Sequence, residues 1–122
     1  MTSAPDTTAG GRLSHSLWTS ITDLTAWLHA CNQMRPNAEA QGLSETTGRL
    51  ADGTHLDYAW GVRIRPTPCG RLITHGGSWQ TWLAKTARVP EERVGVAVLS
   101  VGGTEQTVSN TGVHLAQALA YR

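Results

Sequence analysis

The chain is poor in lysine. Lys85 is the only one among its 10 lysines and arginines, and the arginines are scattered. Set against 9 acidic residues they leave a net charge of +1, too small for attraction to nucleic acid or to a membrane surface by bulk charge. No apolar run approaches the roughly 20 residues that cross a bilayer, so neither a membrane nor a nucleic acid is expected as a partner. The first thirteen residues, Met1 to Leu13, are small and polar and lack the apolar core of a signal peptide, which leaves the cytoplasm as the default location. Two cysteines, Cys31 and Cys69, have no metal-type spacing and are too few for a disulfide framework, so both read as free thiols. His29 and Cys31 lie two apart and face different ways on a helix, while His15, His55 and His114 fall in unrelated segments. No metal site is expected.

What the chain does contain is enough for one domain. At 122 residues a globular chain buries roughly two thirds of its unfolded surface. Residues 1–12 read as a flexible lead-in and 13–122 as the folded part. Ser20-Ile21-Thr22-Asp23 resembles a capping box, and Ile21, Leu24, Leu28 and Cys31 follow at helical spacing, which predicts a helix from about Ser20 to Gln33, closed by Arg35-Pro36. Asn37 to Thr54 reads as loop with a helical turn around Ser44–Leu50. Leu56, Tyr58, Trp60, Val62 and Ile64 then alternate with Asp57, Ala59, Gly61, Arg63 and Arg65, the pattern of a half-buried strand whose arginines face solvent. Pro66 to Gly70 turns the chain into a second strand, Arg71–His75. Trp82–Val89 is a third, followed by a type I turn at Pro90. The apolar run Val94–Leu99 predicts a central strand covered on both faces. A terminal helix from Thr107 to Tyr121 carries Val108, Thr111, Leu115, Ala118 and Leu119 on its apolar side. The fold class is therefore α+β: an antiparallel sheet of about four strands flanked by an N-terminal and a C-terminal helix.

The segment with most chemical content is Thr74-His75-Gly76-Gly77-Ser78-Trp79, where strand formers run into a histidine, two glycines and a serine. Four segments in order resemble the C-terminal half of the serine β-lactamase, penicillin-binding protein and esterase superfamily. Leu17 to Leu28 resembles its STA-x-DLA-x-W helix, and Tyr58-Ala59-Trp60-Gly61-Val62 its YG-x-GW strand. Thr74 to Ser78 resembles the Lys/His-x-Gly motif at the end of a sheet strand. Arg88-Val89-Pro90-Glu91 through Val94 to Ser100 resembles the PE-x-x-VGVAVLSN hairpin. The likeness spans roughly residues 11 to 120.

The resemblance implies an acyl-enzyme hydrolase acting on a small acyl substrate, an ester, amide or β-lactam, without cofactor or metal. By it, His75 orients the substrate's carboxylate or acyl group, Gly77 lets the acyl group lie close to the strand, and the backbone N–H of Ser78 is one of two oxyanion donors; Gly76 and Trp79 belong to the substrate site. Histidine rather than lysine at 75 is closer to the peptidase and esterase branches. The reacting serine of the family lies in a Ser-x-x-Lys pair activated with a Tyr-x-Asn. Neither occurs here: Trp82 stands three before Lys85, and Trp60 two after Tyr58. They would come from a missing N-terminal half or a partner chain. Thr81 stands where relatives have Gly, and Val101 where they have Asn.

Plainer readings stand beside these. His75 is also read as an ordinary strand-end histidine, and Trp79 and Trp82 as packing. Ser78 as a nucleophile in its own right needs Gly where Gln80 stands. The alternative to a hydrolase part is a stand-alone, non-catalytic remnant or a ligand- or partner-binding module; a third reading is an unrelated α+β domain in which His75-Gly76-Gly77 is a turn. If the sheet lacks its other half, an uncovered apolar face and self-association are expected.

Overall fold

The computed structural model describes residues 18–33 and 38–122. The expected lead-in at 1–12 and the helix-closing Arg35-Pro36 lie outside them. The elements run α1 (Ile21–Asn32), α2 (Ala38–Ser44), β1 (Arg63–Thr67), β2 (Gly70–Trp79), β3 (Trp82–Val89), β4 (Val94–Val101) and α3 (Glu105–Ala120), with one 3-10 turn at Pro90–Glu92 between β3 and β4. The strands form one antiparallel sheet in the order β1-β2-β3-β4, which is the α+β arrangement expected.

Local chemistry accounts for the helix starts. The Ser20 hydroxyl accepts the Asp23 N–H at 3.1 Å and donates to the Asp23 carboxylate at 2.9 Å, so Ser20 caps α1 with Asp23 as its partner. Thr104 does the same for α3, accepting from the Thr107 N–H at 3.1 Å.

Pairing sorts the side chains into two faces. On one lie the rows Ile64–Ile73–Arg88–Gly95, His75–Thr86–Ala97, Gly77–Ala84–Leu99 and Trp79–Trp82–Val101; on the other lie Arg65–Leu72–Val89–Val94, Arg63–Thr74–Ala87–Val96, Gly76–Lys85–Val98 and Ser78–Leu83–Ser100. Helix α1 covers the Gly95 end of the first face, where a Cβ on Gly95 would lie 3.3 Å from Leu28. Helix α3 covers the second face, where Leu72, Ala87, Val89, Ala116 and Ala120 form the main core.

Several expectations need correction. The helical turn placed at Ser44–Leu50 is absent; the helix lies upstream at Ala38–Ser44. Gly42 weakens its local signal, and tertiary bonds hold it, from the Gln41 side chain to the Cys31 carbonyl and from Arg88 to Glu45 just after it. The long strand from Leu56 shrinks to Arg63–Thr67. Residues 48–58 bond to one another instead, with Gly48 N–H to Tyr58 carbonyl at 3.0 Å and Leu56 N–H to Gly48 carbonyl at 2.9 Å, and Trp60 is 78% exposed. Among the described residues β4 is an edge strand, not a central one; its residues are apolar because α1 and α3 lie on its two faces. In α3 the buried face is Val108, Gly112, Ala116 and Ala120, while Leu115 and Leu119 face outward. Small residues at four-residue spacing let the helix axis approach the sheet, so the larger side chains are left outside. Gly112 shows how close the approach is: a Cβ there would lie 2.9 Å from Lys85 Cγ.

A polar cluster ties α1, α2 and the sheet together. Glu45 and Arg88, both buried, form an ion pair. Arg88 also donates to Asn32 Oδ1 at 3.4 Å, and Asn32 donates to the Val94 carbonyl at 2.9 Å. Arg71 reaches Glu45 at 3.3 Å and Glu91 at 2.9 Å. Burial pushes the Glu91 carboxyl up, but the hydrogen bond from the Arg71 side chain, backbone N–H donors and the Arg71 charge outweigh it and hold it below the ordinary glutamate value. Removing one partner of a buried pair leaves the other charge uncompensated, so Glu45→Ala is expected to destabilise the fold by about 3–5 kcal/mol. Urea unfolding measures this, and a Glu45→Leu/Arg88→Met double variant is expected to recover more than half of the loss.

Candidate functional site

Strand β2 outruns its neighbour. Its last partner on β1 is Thr74, opposite Arg63, whereas its pairing with β3 continues to Trp79 opposite Trp82. The strand therefore does not end at His75, as its glycines suggested; it runs on, and from His75 onward one side of its backbone is a sheet edge. The chain preceding β1 turns away at Gly61, which adopts φ 79°, and its Ala59 N–H and Val62 carbonyl close on each other at 2.8 Å. That local turn keeps β1 from extending along the edge.

Which groups face the edge follows from ladder geometry. In an antiparallel strand the N–H and C=O of one residue point to the same side, and successive residues alternate. The His75 carbonyl lies toward β3, where it accepts from the Thr86 hydroxyl at 3.4 Å. Gly76 and Ser78 therefore turn their N–H and C=O groups to the open edge. Such an edge can take an extended acyl or peptide-like segment through main-chain hydrogen bonds.

The side chains divide by face. His75, Gly77 and Trp79 lie on the α1 face, and Ser78 with Gly76 on the α3 face. The His75 imidazole is exposed and makes no hydrogen bond or ion pair among the described residues. A Cβ on Gly77 would meet nothing within 4 Å, and its φ is not in the left-handed region. Neither backbone conformation nor packing within the chain calls for a glycine there. Ser78 carries its hydroxyl away from His75, so the edge has a backbone donor and an imidazole but no nucleophile of its own.

Beyond His75 the α1 face carries several exposed apolar side chains. Trp79, Trp82, Leu99 and Val101 are 56%, 59%, 44% and 65% exposed and adjoin in two successive rows. Trp79 and Trp82 are therefore not core packing. The sequence reading missed Leu99 and Val101 as members of this surface, because only the β3–β4 register puts them beside the tryptophans. In the turn joining β2 to β3 the left-handed residue is Gln80, with φ 54°, and not Thr81, which stands where relatives have Gly; the Thr81 carbonyl accepts the Gly102 N–H at 2.6 Å. With Val101 in place of Asn, the loop after β4 is held by that bond and by the Ser100 hydroxyl, which donates to the Gly102 carbonyl at 3.0 Å.

The cysteines take no part. Both are free, Cys31 on α1 and Cys69 against the α3-side core. Burial pushes the Cys31 thiol up; Arg88 opposes this and Glu45 reinforces it. Among the described residues no group of three His, Cys, Asp or Glu is placed to hold a metal ion, and no helix is long and apolar enough to cross a membrane. No protein-family model and no curated protein matches the chain.

A contiguous exposed apolar patch next to an open strand edge promotes association. Trp82→Ser combined with Val101→Thr, both on that face, is expected to reduce self-association and binding of a hydrophobic dye several-fold, as read by sedimentation and dye fluorescence. An unchanged sedimentation profile in both proteins contradicts this.

Proposed function

We propose that this chain is the acyl-binding, C-terminal part of a β-lactamase-like serine hydrolase, which hydrolyses an ester, amide or β-lactam bond once a nucleophile-bearing part is joined to it. The observation that carries the reading is the open stretch of β2 from His75 to Ser78. It combines outward backbone groups at Gly76 and Ser78, an unpaired imidazole, and a glycine at 77 with no local need to be one. The order of the four resembling segments supports the same reading, as does the exposed apolar surface of Trp82, Leu99 and Val101 beside them.

In this reading the incoming part supplies Ser-x-x-Lys and Tyr-x-Asn and covers the α1 face. Its serine Oγ attacks the substrate carbonyl, and the hydroxyl proton passes by way of the Lys/Tyr pair to the leaving group. The acyl-enzyme is then hydrolysed by water, which regenerates the serine. This chain contributes the Ser78 N–H to the oxyanion, a term on the order of 3 kcal/mol. Gly77 leaves room for the acyl group, His75 orients the substrate's carboxylate or acyl end, and Trp79 lines its groove.

The test is labelling with a fluorescent penicillin or phosphonate, on the 122-residue chain and on the chain joined to coding sequence or a partner that carries Ser-x-x-Lys. Labelling of the joined protein alone, slowed at least tenfold by His75→Ala, is the expected result. No labelling of either contradicts the proposal and favours a non-catalytic binding module, consistent with the absence of Ser-x-x-Lys from these 122 residues. Labelling of the short chain overturns the placement of the nucleophile and directs attention to Ser78.

A further inference from the structure

On the face opposite His75, the first turns of α3 stand off the sheet and leave a cavity of about 320 Å³, at the lower end of the range of about 300–1,000 Å³ for small-molecule sites. Its floor is the end of β2 and β3, and its wall is α3. The only lysine of the chain points into it. Lys85 lies between Gly76 and Gly112: a Cβ at Gly76 would be 3.9 Å from Lys85 Nζ, and one at Gly112 would be 2.9 Å from Lys85 Cγ. Gly112 thus receives the Lys85 stem, which aims the ammonium along the cavity floor.

Among the described residues that ammonium has no carboxylate partner. Asp57, the acid nearest to the arginines of the same face, is shared by Arg63 and Arg65 at 3.5 Å each. Burial lowers the Lys85 pKa, and the charges of Arg63 and Arg65 lower it further, so an anion placed here would relieve both penalties. The remaining lining suits a ligand with one charged and one apolar end: Ser78 and Ser109 bring hydroxyls, and Leu83 and Val108 bring apolar surface. Glu105 also lines the cavity, from the exposed first turn of α3, and its charge disfavours a multiply charged anion.

We propose that this cavity is a binding site for a small monocarboxylate with a short apolar body, its carboxylate on Lys85 and the Ser78 and Ser109 hydroxyls, its body against Leu83 and Val108. The site is on the face away from His75 and goes beyond the hydrolase reading.

Hexanoate and its neutral counterpart hexanamide test it, titrated into the protein with backbone amide shifts followed by NMR. Hexanoate is expected to shift the amides of Ser78, Lys85 and Ser109 in a saturable way, with hexanamide at least tenfold weaker. Lys85→Gln keeps most of the stem on Gly112 and is expected to weaken hexanoate at least tenfold, Lys85→Arg to retain most binding, and Glu105→Gln to tighten it. Equal affinity for the acid and the amide, unchanged binding in Lys85→Gln, or shifts confined to the Trp79–Trp82 surface would each overturn the proposal. The comparison of acid with amide is made on the unaltered protein, so it holds whether or not a variant folds.

Discussion

The fold depends on one buried ion pair. Arg88 sits one residue before the end of β3, in the row Ile73–Arg88–Gly95, where an apolar side chain would be expected. Glu45, at the end of α2, is brought 43 positions along the chain to meet it. Around this pair Gln41, Asn32, Arg71 and Glu91 are drawn in, so that α1, α2, three strands and the 3-10 turn share one network. A buried pair adds little net stability over an apolar pair of similar volume. Its effect is positional: it fixes α1 and α2 over one end of the sheet and leaves the other end of the same face without cover among the described residues. The partly exposed rows from His75 to Val101 follow from where that network stops.

The same sheet is built differently on its other side. There α3 meets the strands through glycine and alanine, with no ionised group in the main core. Close approach of the helix axis is possible over Ala87, Val89 and Val96. Gly112 still receives the Lys85 stem, and beyond it, between residues 76–78 of β2 and Glu105, Val108 and Ser109 of α3, a space is left. One face thus offers an open backbone edge beside an imidazole, and the other a part-enclosed cavity holding a cation. The two surfaces share the backbone of residues 76–78 and little else, because pleating sends consecutive side chains to opposite faces.

Much of the architecture was legible in the sequence. The capping pattern at Ser20, the turn signal at Pro90 that closes β3 and the apolar run of β4 each have a local cause, and these elements stand where the sequence put them. What was not legible is non-local. Leu56, Tyr58 and Trp60 alternate like a strand, yet their backbone pairs with Gly48 and its neighbours, and no β-propensity scale registers that choice. Leu115 and Leu119 suggested the buried side of α3, but close packing selected Gly112, Ala116 and Ala120 instead. Glu45 lay in the stretch read as a helical turn at Ser44–Leu50, and nothing local marks it as the partner of Arg88. For the site, the sequence singled out His75 to Trp79 but not their division between two faces, nor the early end of β1 that opens the edge. Both are properties of register, which only pairing reveals.

In the proposed hydrolase the outward backbone of β2, and Ser78 N–H in particular, receives the oxygen of a substrate acyl group. A crystal structure of the phosphonate adduct of the joined, labelled protein tests this. The phosphonyl oxygen is expected within about 3 Å of the Ser78 backbone nitrogen, with the rest of the inhibitor lying along the His75–Ser78 edge. An adduct whose oxygen is turned away from β2, or one attached to a site that does not touch this strand, would contradict it.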